Sequence, residues 1–166
     1  MRRTILLLTV MTAALLLASG ATLAATKTYT AEVRGVEVSA GRIVGETRVG
    51  ATFVGRARGQ LPGLLHASVN YTPPRPAPNV VNTLVGGRWS LVGPWGALFG
   101  SFTRGEVRWN SAGMVASVNA NMLITNGTVN GKGVSGGSGS FIGTLSHRTF
   151  PPTITGTLTL RPSFRT

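Results

Sequence analysis

The sequence predicts an all-β fold: a single antiparallel β-barrel of about eight strands, preceded by an N-terminal signal helix. Three observations carry that prediction. Apolar residues alternate with polar ones in run after run, the two-residue period of strands with one buried face. Glycine and proline punctuate these runs at nearly regular spacing, and no later stretch keeps a 3.6-residue period free of such breakers. Cysteine is absent, so no disulfide staples the chain, and closure into a barrel is the simplest way to remove aggregation-prone edges.

Residues 1–25 stand apart from this pattern. Arg2 and Arg3 precede an apolar run from Ile5 to Ala18, and small residues follow as far as Ala25. That order is the signature of a secretory signal peptide, cut after Ala24 or Ala25. The run falls short of the roughly 20 residues of a membrane-spanning helix. Residues 26–166 then form the barrel domain, with a secreted, periplasmic or cell-envelope destination. They contain no apolar run long enough to span a membrane as a helix.

The strands follow in order. From Lys27 to Val38, Tyr29, Ala31 and Val33 share one face; Val36 and Val38 then take the opposite parity, which predicts a bulge at Gly35. Arg42 to Gly59 forms one or two strands around Val49 and Phe53. From Leu65 to Tyr71 the apolar face is Leu65, Ala67, Val69 and Tyr71. Pro73 to Pro78 cannot sustain a ladder and is a loop. Strands resume at Val80–Val85, Arg88–Val92, Ala97–Trp109 and Met114–Ile124. The last of these is the most regular, with Met114, Ala116, Val118, Ala120, Met122 and Ile124 on one side. Ser140–Ser146 and Thr153–Leu160 complete the set. A faint internal echo places Phe53-Val54-Gly55 ahead of Pro73-Pro74, and Phe141-Ile142-Gly143 ahead of Pro151-Pro152.

The glycine run at residues 130–143 is the feature most open to a functional reading. Gly131, Gly133 and Gly136 fit G-x-G-x-x-G, but a dinucleotide fingerprint needs a helix after the glycines to supply the phosphate-binding amides. Here turn and strand follow, and the phosphate-loop pattern fails as well because Gly133 stands where Ser or Thr belongs. The glycines therefore serve turns and bends in a curved wall. Val134-Ser135-Gly136-Gly137-Ser138-Gly139-Ser140-Phe141-Ile142-Gly143 resembles the Gly-Gly-Thr-Gly-x-Phe-x-Gly hairpin of the allene oxide cyclase and dirigent β-barrels, with Ser138 in place of the usual Thr. The resemblance covers about ten residues. It implies an eight-stranded barrel with a central cavity, in which Asn82–Leu91 and Thr153–Leu160 also find places. It carries no catalytic residue over to this chain.

The titratable inventory excludes several chemistries. The acids are Glu32, Glu37, Glu46 and Glu106, with no Asp, and the histidines are His66 and His147. No close carboxylate pair suits glycoside hydrolysis, no G-x-S-x-G elbow suits acyl transfer, and no clustered ligands suit a metal. The expectation is no cofactor and no metal. Arg104, Glu106 and Arg108 share one face of their strand, either as an exposed ion-pair ladder or as a polar anchor inside a lumen. Trp89, Trp95, Phe99, Phe102 and Trp109 crowd one third of the chain, as core or as a ligand-stacking wall.

The candidate ligand residues are accordingly Trp89, Trp109, Arg104, Glu106 and Arg108. Lys and Arg number 16 against 4 acids, a formal net charge of +12, which suits an anionic partner such as an envelope polymer. No motif for specific nucleic-acid binding accompanies the charge. The expectation is an exported barrel that binds a small apolar or amphipathic ligand without catalysis. A cationic envelope protein holding an anionic polymer is the first alternative, and a cofactor-free cyclase or isomerase the second.

Overall fold

The computed structural model describes residues 27–166; the expected signal peptide lies outside them. Nine strands follow one another: β1 Tyr29–Ser39, β2 Arg42–Val44, β3 Thr47–Gly59, β4 Gly63–Thr72, β5 Val81–Gly93, β6 Gly96–Trp109, β7 Val115–Val129, β8 Lys132–Ser146 and β9 Thr153–Phe164. No helix occurs among the described residues. Each neighbour pair is antiparallel, and β1 bonds to both β3 and β9. That double pairing closes eight strands into a barrel and leaves β2 outside it. β2 extends the β1–β3 ladder into a protruding hairpin, since Ser39 opposite Thr52 and Arg42 opposite Val49 keep one register.

The ladder climbs as it goes around. Cα partners lead from Val36 through Val54, His66 and Ser90 to Phe99. The path continues across β7 and β8 to the end of β9, beyond Leu160, which is itself the partner of Tyr29. This stagger is what closure of tilted strands requires.

Alternation then sorts side chains into lumen and outer wall. On β7, Ala116, Val118, Ala120, Met122 and Ile124 all face inward and are buried, as their period predicts. Two other expectations need correction. The strands expected on either side of Gly86-Gly87 are one strand, β5, bent at two glycines with positive φ. The glycine run is itself strand: β8 starts at Lys132, and the turn before it is Asn130-Gly131, both with positive φ. A bulge between Val134 and Gly136 and the φ of +138° at Gly137 supply the bend.

The two ends of the barrel differ. At one end short turns join β3–β4, β5–β6 and β7–β8, and Leu61, Trp95, Leu98, Val129 and Val134 fill the interior. At the other end lie the longer β4–β5 and β8–β9 loops, both proline-rich, together with the β2–β3 hairpin.

Candidate functional site

The lumen holds a cavity of about 80 Å³ in the half toward the long loops. Phe53, Leu65, Phe102, Met122, Phe141 and Leu158 are among the apolar side chains on its wall. Where it meets the loops, the lining turns polar: Glu37, Tyr71, Asn82 and His147 all contribute. Antiparallel order explains the gathering. β1, β4, β6 and β8 end at this side and β5 begins there, so residues distant in the chain form one ring.

Glu37 reaches the ring because β1 keeps its parity. Tyr29, Ala31 and Val33 face the lumen, Gly35 continues the same face, and Glu37 stands opposite Phe53. The expected bulge at Gly35 is displaced: the register shifts only between Glu37 and Ser39. Val38 is consequently the exposed residue, and the carboxylate is the lumen-facing one. The backbone N–H of Glu37 donates to the Pro152 carbonyl (2.8 Å), tying β1 to the β8–β9 loop.

Asn82 is 1% exposed, an unusual burial for an amide, and it is well partnered. Its Oδ1 accepts from Trp109 Nε1 (2.6 Å), and its Nδ2 donates to the Pro73 carbonyl (2.7 Å). One side chain thus joins β5, β6 and the β4–β5 loop. The Trp109 ring meets His147 edge-on, with centroids 4.7 Å apart. Arg48 works from outside the ring: its Nε donates to the Pro74 carbonyl (2.7 Å) and its Nη1 to the Ala40 carbonyl (2.9 Å).

Burial sets the protonation tendencies here. It raises the Glu37 carboxyl above its usual range, against the opposing pull of the Arg48 charge. It raises the Tyr71 phenol as well. It lowers His147, favouring the neutral imidazole. The mouth therefore offers neutral or readily neutralised hydrogen-bonding groups above an apolar chamber. Among the described residues, no group of three or more His, Cys, Asp or Glu side chains stands close enough to hold a metal ion. His66 is exposed on the outer wall while His147 sits at the mouth, so the two do not meet.

The structure separates the residues singled out from the sequence. Trp109 lines the cavity. Trp89 is buried beside it without lining it; its ring occupies space left by Gly100, where a Cβ would lie 2.6 Å from Cε2 and Cζ2. Among the described residues, Trp89 Nε1 finds no hydrogen-bond partner. Arg104, Glu106 and Arg108 point outward, because Val107 and Trp109 take the inward parity. They are not a lumen anchor. Arg108 Nη2 and Glu106 Oε2 make an exposed ion pair at 2.6 Å. Sequence reasoning missed Glu37 and Asn82, although parity with Val33 and with Leu84 marks both as inward-facing. No family model, curated protein or solved structure matches the chain.

Proposed function

We propose that this barrel binds a small amphipathic ligand, with its apolar part in the lumen and its polar end against Glu37, Tyr71 and His147. The observation that supports this reading is the single change of character along the cavity, from an apolar wall to a polar rim. Ligand sites commonly combine such a lining with a few placed polar groups. The size of the chamber argues for an amphipathic occupant. An apolar cavity of roughly 150 Å³ accepts benzene, so about 80 Å³ suits the end of a hydrocarbon chain whose remainder stays at the mouth. In this reading the chain is exported and acts by binding, without catalysis. The resemblance of its glycine-rich strand to the allene oxide cyclase and dirigent barrels is compatible with a ligand-holding lumen.

Two measurements test the proposal. Native mass spectrometry of protein purified from its own host should show a co-purifying small molecule. Titration with sodium octanoate, followed by tryptophan fluorescence, should saturate in the wild type and fail in Ala120→Phe, which fills the lumen at a buried position. Val118→Leu, a milder filling, should weaken binding and guards against a folding defect in the first variant. A wild type with neither co-purified molecule nor octanoate response would refute the reading, as would binding unaffected by both fillings.

A further inference from the structure

A second concavity lies on the outer wall, across β6 to β9. It is open to solvent, has a volume of about 540 Å³ and includes Thr103, Arg104, Asn121, Leu123, Ser140 and Arg161 in its lining. Register explains its composition. One row runs across the strands as Arg104, Asn121, Ser140 and Thr159, each opposite the next. The adjacent row runs as Arg88, Ser101, Leu123, Ser138 and Arg161. Arg104 and Arg161, far apart in the chain, thus flank one floor of hydroxyls and a single amide, and Arg88 lies further along the second row, outside the lining. The floor is low because β8 contributes only Ser138, Gly139 and Ser140. The β6 side is shaped by a bulge between Phe102 and Arg104, where Thr103 Oγ1 donates to the Asn121 carbonyl (3.3 Å).

Among the described residues, no carboxylate lines this groove. The nearest acid on the same strand, Glu106, is engaged by Arg108. Arg104 and Arg161 are both exposed, so their guanidinium groups are free to take an external anion, for which their planar forks are well suited. They stand on β6 and β9, three strand spacings apart, or roughly 14 Å. A lone phosphate or carboxylate would meet both only if the two side chains leaned in toward each other, whereas a chain with repeating anions can engage each in its outward position.

From this we infer that the outer groove binds a segment of acidic glycan, carboxylates at Arg104 and Arg161 and sugar hydroxyls on the Asn121, Ser138 and Ser140 floor. Leu123 offers an apolar surface to a ring face at the centre. Single-stranded nucleic acid is the less fitting polyanion, because its binding sites rely on aromatic stacking and no aromatic side chain lines the groove. The inference is independent of any ligand in the lumen, which lies on the other side of the sheet.

The test is calorimetric titration of the protein with a short oligogalacturonate at low salt. Arg104→Gln with Arg161→Gln is compared with Arg34→Gln with Arg56→Gln. The second pair removes the same charge from exposed, mutually paired positions on β1 and β3. The groove variant should lose roughly tenfold or more in affinity, the scale of a lost charge-assisted hydrogen bond, while the control loses much less. Equal losses would reduce the effect to overall charge and overturn the site. Tighter binding of an oligothymidylate than of the oligogalacturonate would overturn the glycan assignment. Absence of binding at low salt would overturn both.

Discussion

The two ends of this barrel are built from the same eight strands and solve opposite problems. At the short-turn end, Leu98 and Val134 are fully buried, and the polar groups present serve the turns themselves: Trp95 Nε1 donates to the Pro62 carbonyl (2.7 Å), and the Asn130 N–H to the Trp95 carbonyl (2.7 Å). At the long-loop end, a carboxylate, a phenol, an amide and an imidazole turn toward the interior. Burying such groups is unfavourable unless they are partnered, and among the described residues Asn82 is partnered at both its amide oxygen and its amide nitrogen. The difference separates the end that closes by packing from the end where the proposed ligand would meet polar groups. Apolar side chains plug the first end, and polar side chains line the second.

The largest effect should come from breaking the plug. Trp95→Ala removes a nearly buried indole together with its turn hydrogen bond and should cost about 3–5 kcal/mol, read as a lower denaturant midpoint. At the mouth, Asn82→Ala strands the Trp109 N–H and the Pro73 carbonyl, at about 1–3 kcal/mol. A loss there equal to that of Trp95→Ala would erase the asymmetry between the ends. Gly137→Val tests the wall between them. Gly137 has φ +138°, and a Cβ there would run into the Arg161 carbonyl. Backbone strain of this kind costs on the order of 1–3 kcal/mol, so its melting temperature should fall while wild-type protein shows no response to ATP or NAD.

Acidity separates the ends more finely. Burial holds His147 below the ordinary imidazole value, so the unfolded chain takes up that proton first as pH falls. Stability should decline on acidification below about pH 6.5, and His147→Gln should flatten that decline in melts run from pH 7 downward. Glu37 has the opposite sign. Its raised pKa means the unfolded chain ionises first as pH rises through 4.5. Glu37→Gln should therefore be more stable than wild type at neutral pH, with the gap closing below 4.5. The smallest effect belongs to the outer wall: Arg108→Ala breaks an ion pair exposed at both partners and should change stability by about 0.2–1 kcal/mol.

Much of the barrel was legible in the sequence, because alternation reports burial directly. β7 shows its inward face residue by residue, and the prolines after Thr72 mark the loop they form. Glycine-rich strands were harder. A residue without a side chain contributes nothing to a hydrophobic period, so β8 could not be told from a turn until its partners on β7 and β9 were known. At the mouth two signals competed. Val36 and Val38 mimic a buried face after Gly35, whereas parity with Val33 points Glu37 inward, and the pairing of Glu37 with Phe53 decides for the latter. Parity grouped Arg104, Glu106 and Arg108 correctly, but it cannot say which side of a wall the group faces; the inward Val107 and Trp109 decide that. The outer groove had no local signal at all, since register alone brings Arg104 and Arg161 to its two sides.

The seam between β1 and β9 has a mechanical consequence. These strands are antiparallel neighbours, and Tyr29, the first residue of β1, pairs with Leu160 near the end of β9. Both free ends of the barrel thus leave from the plugged side, next to each other. Tension applied between them meets the seam as a zipper, loading one rung of hydrogen bonds at a time instead of shearing the whole row together. A barrel closed tightly against solvent and edge pairing should therefore yield to a small pull along that single line.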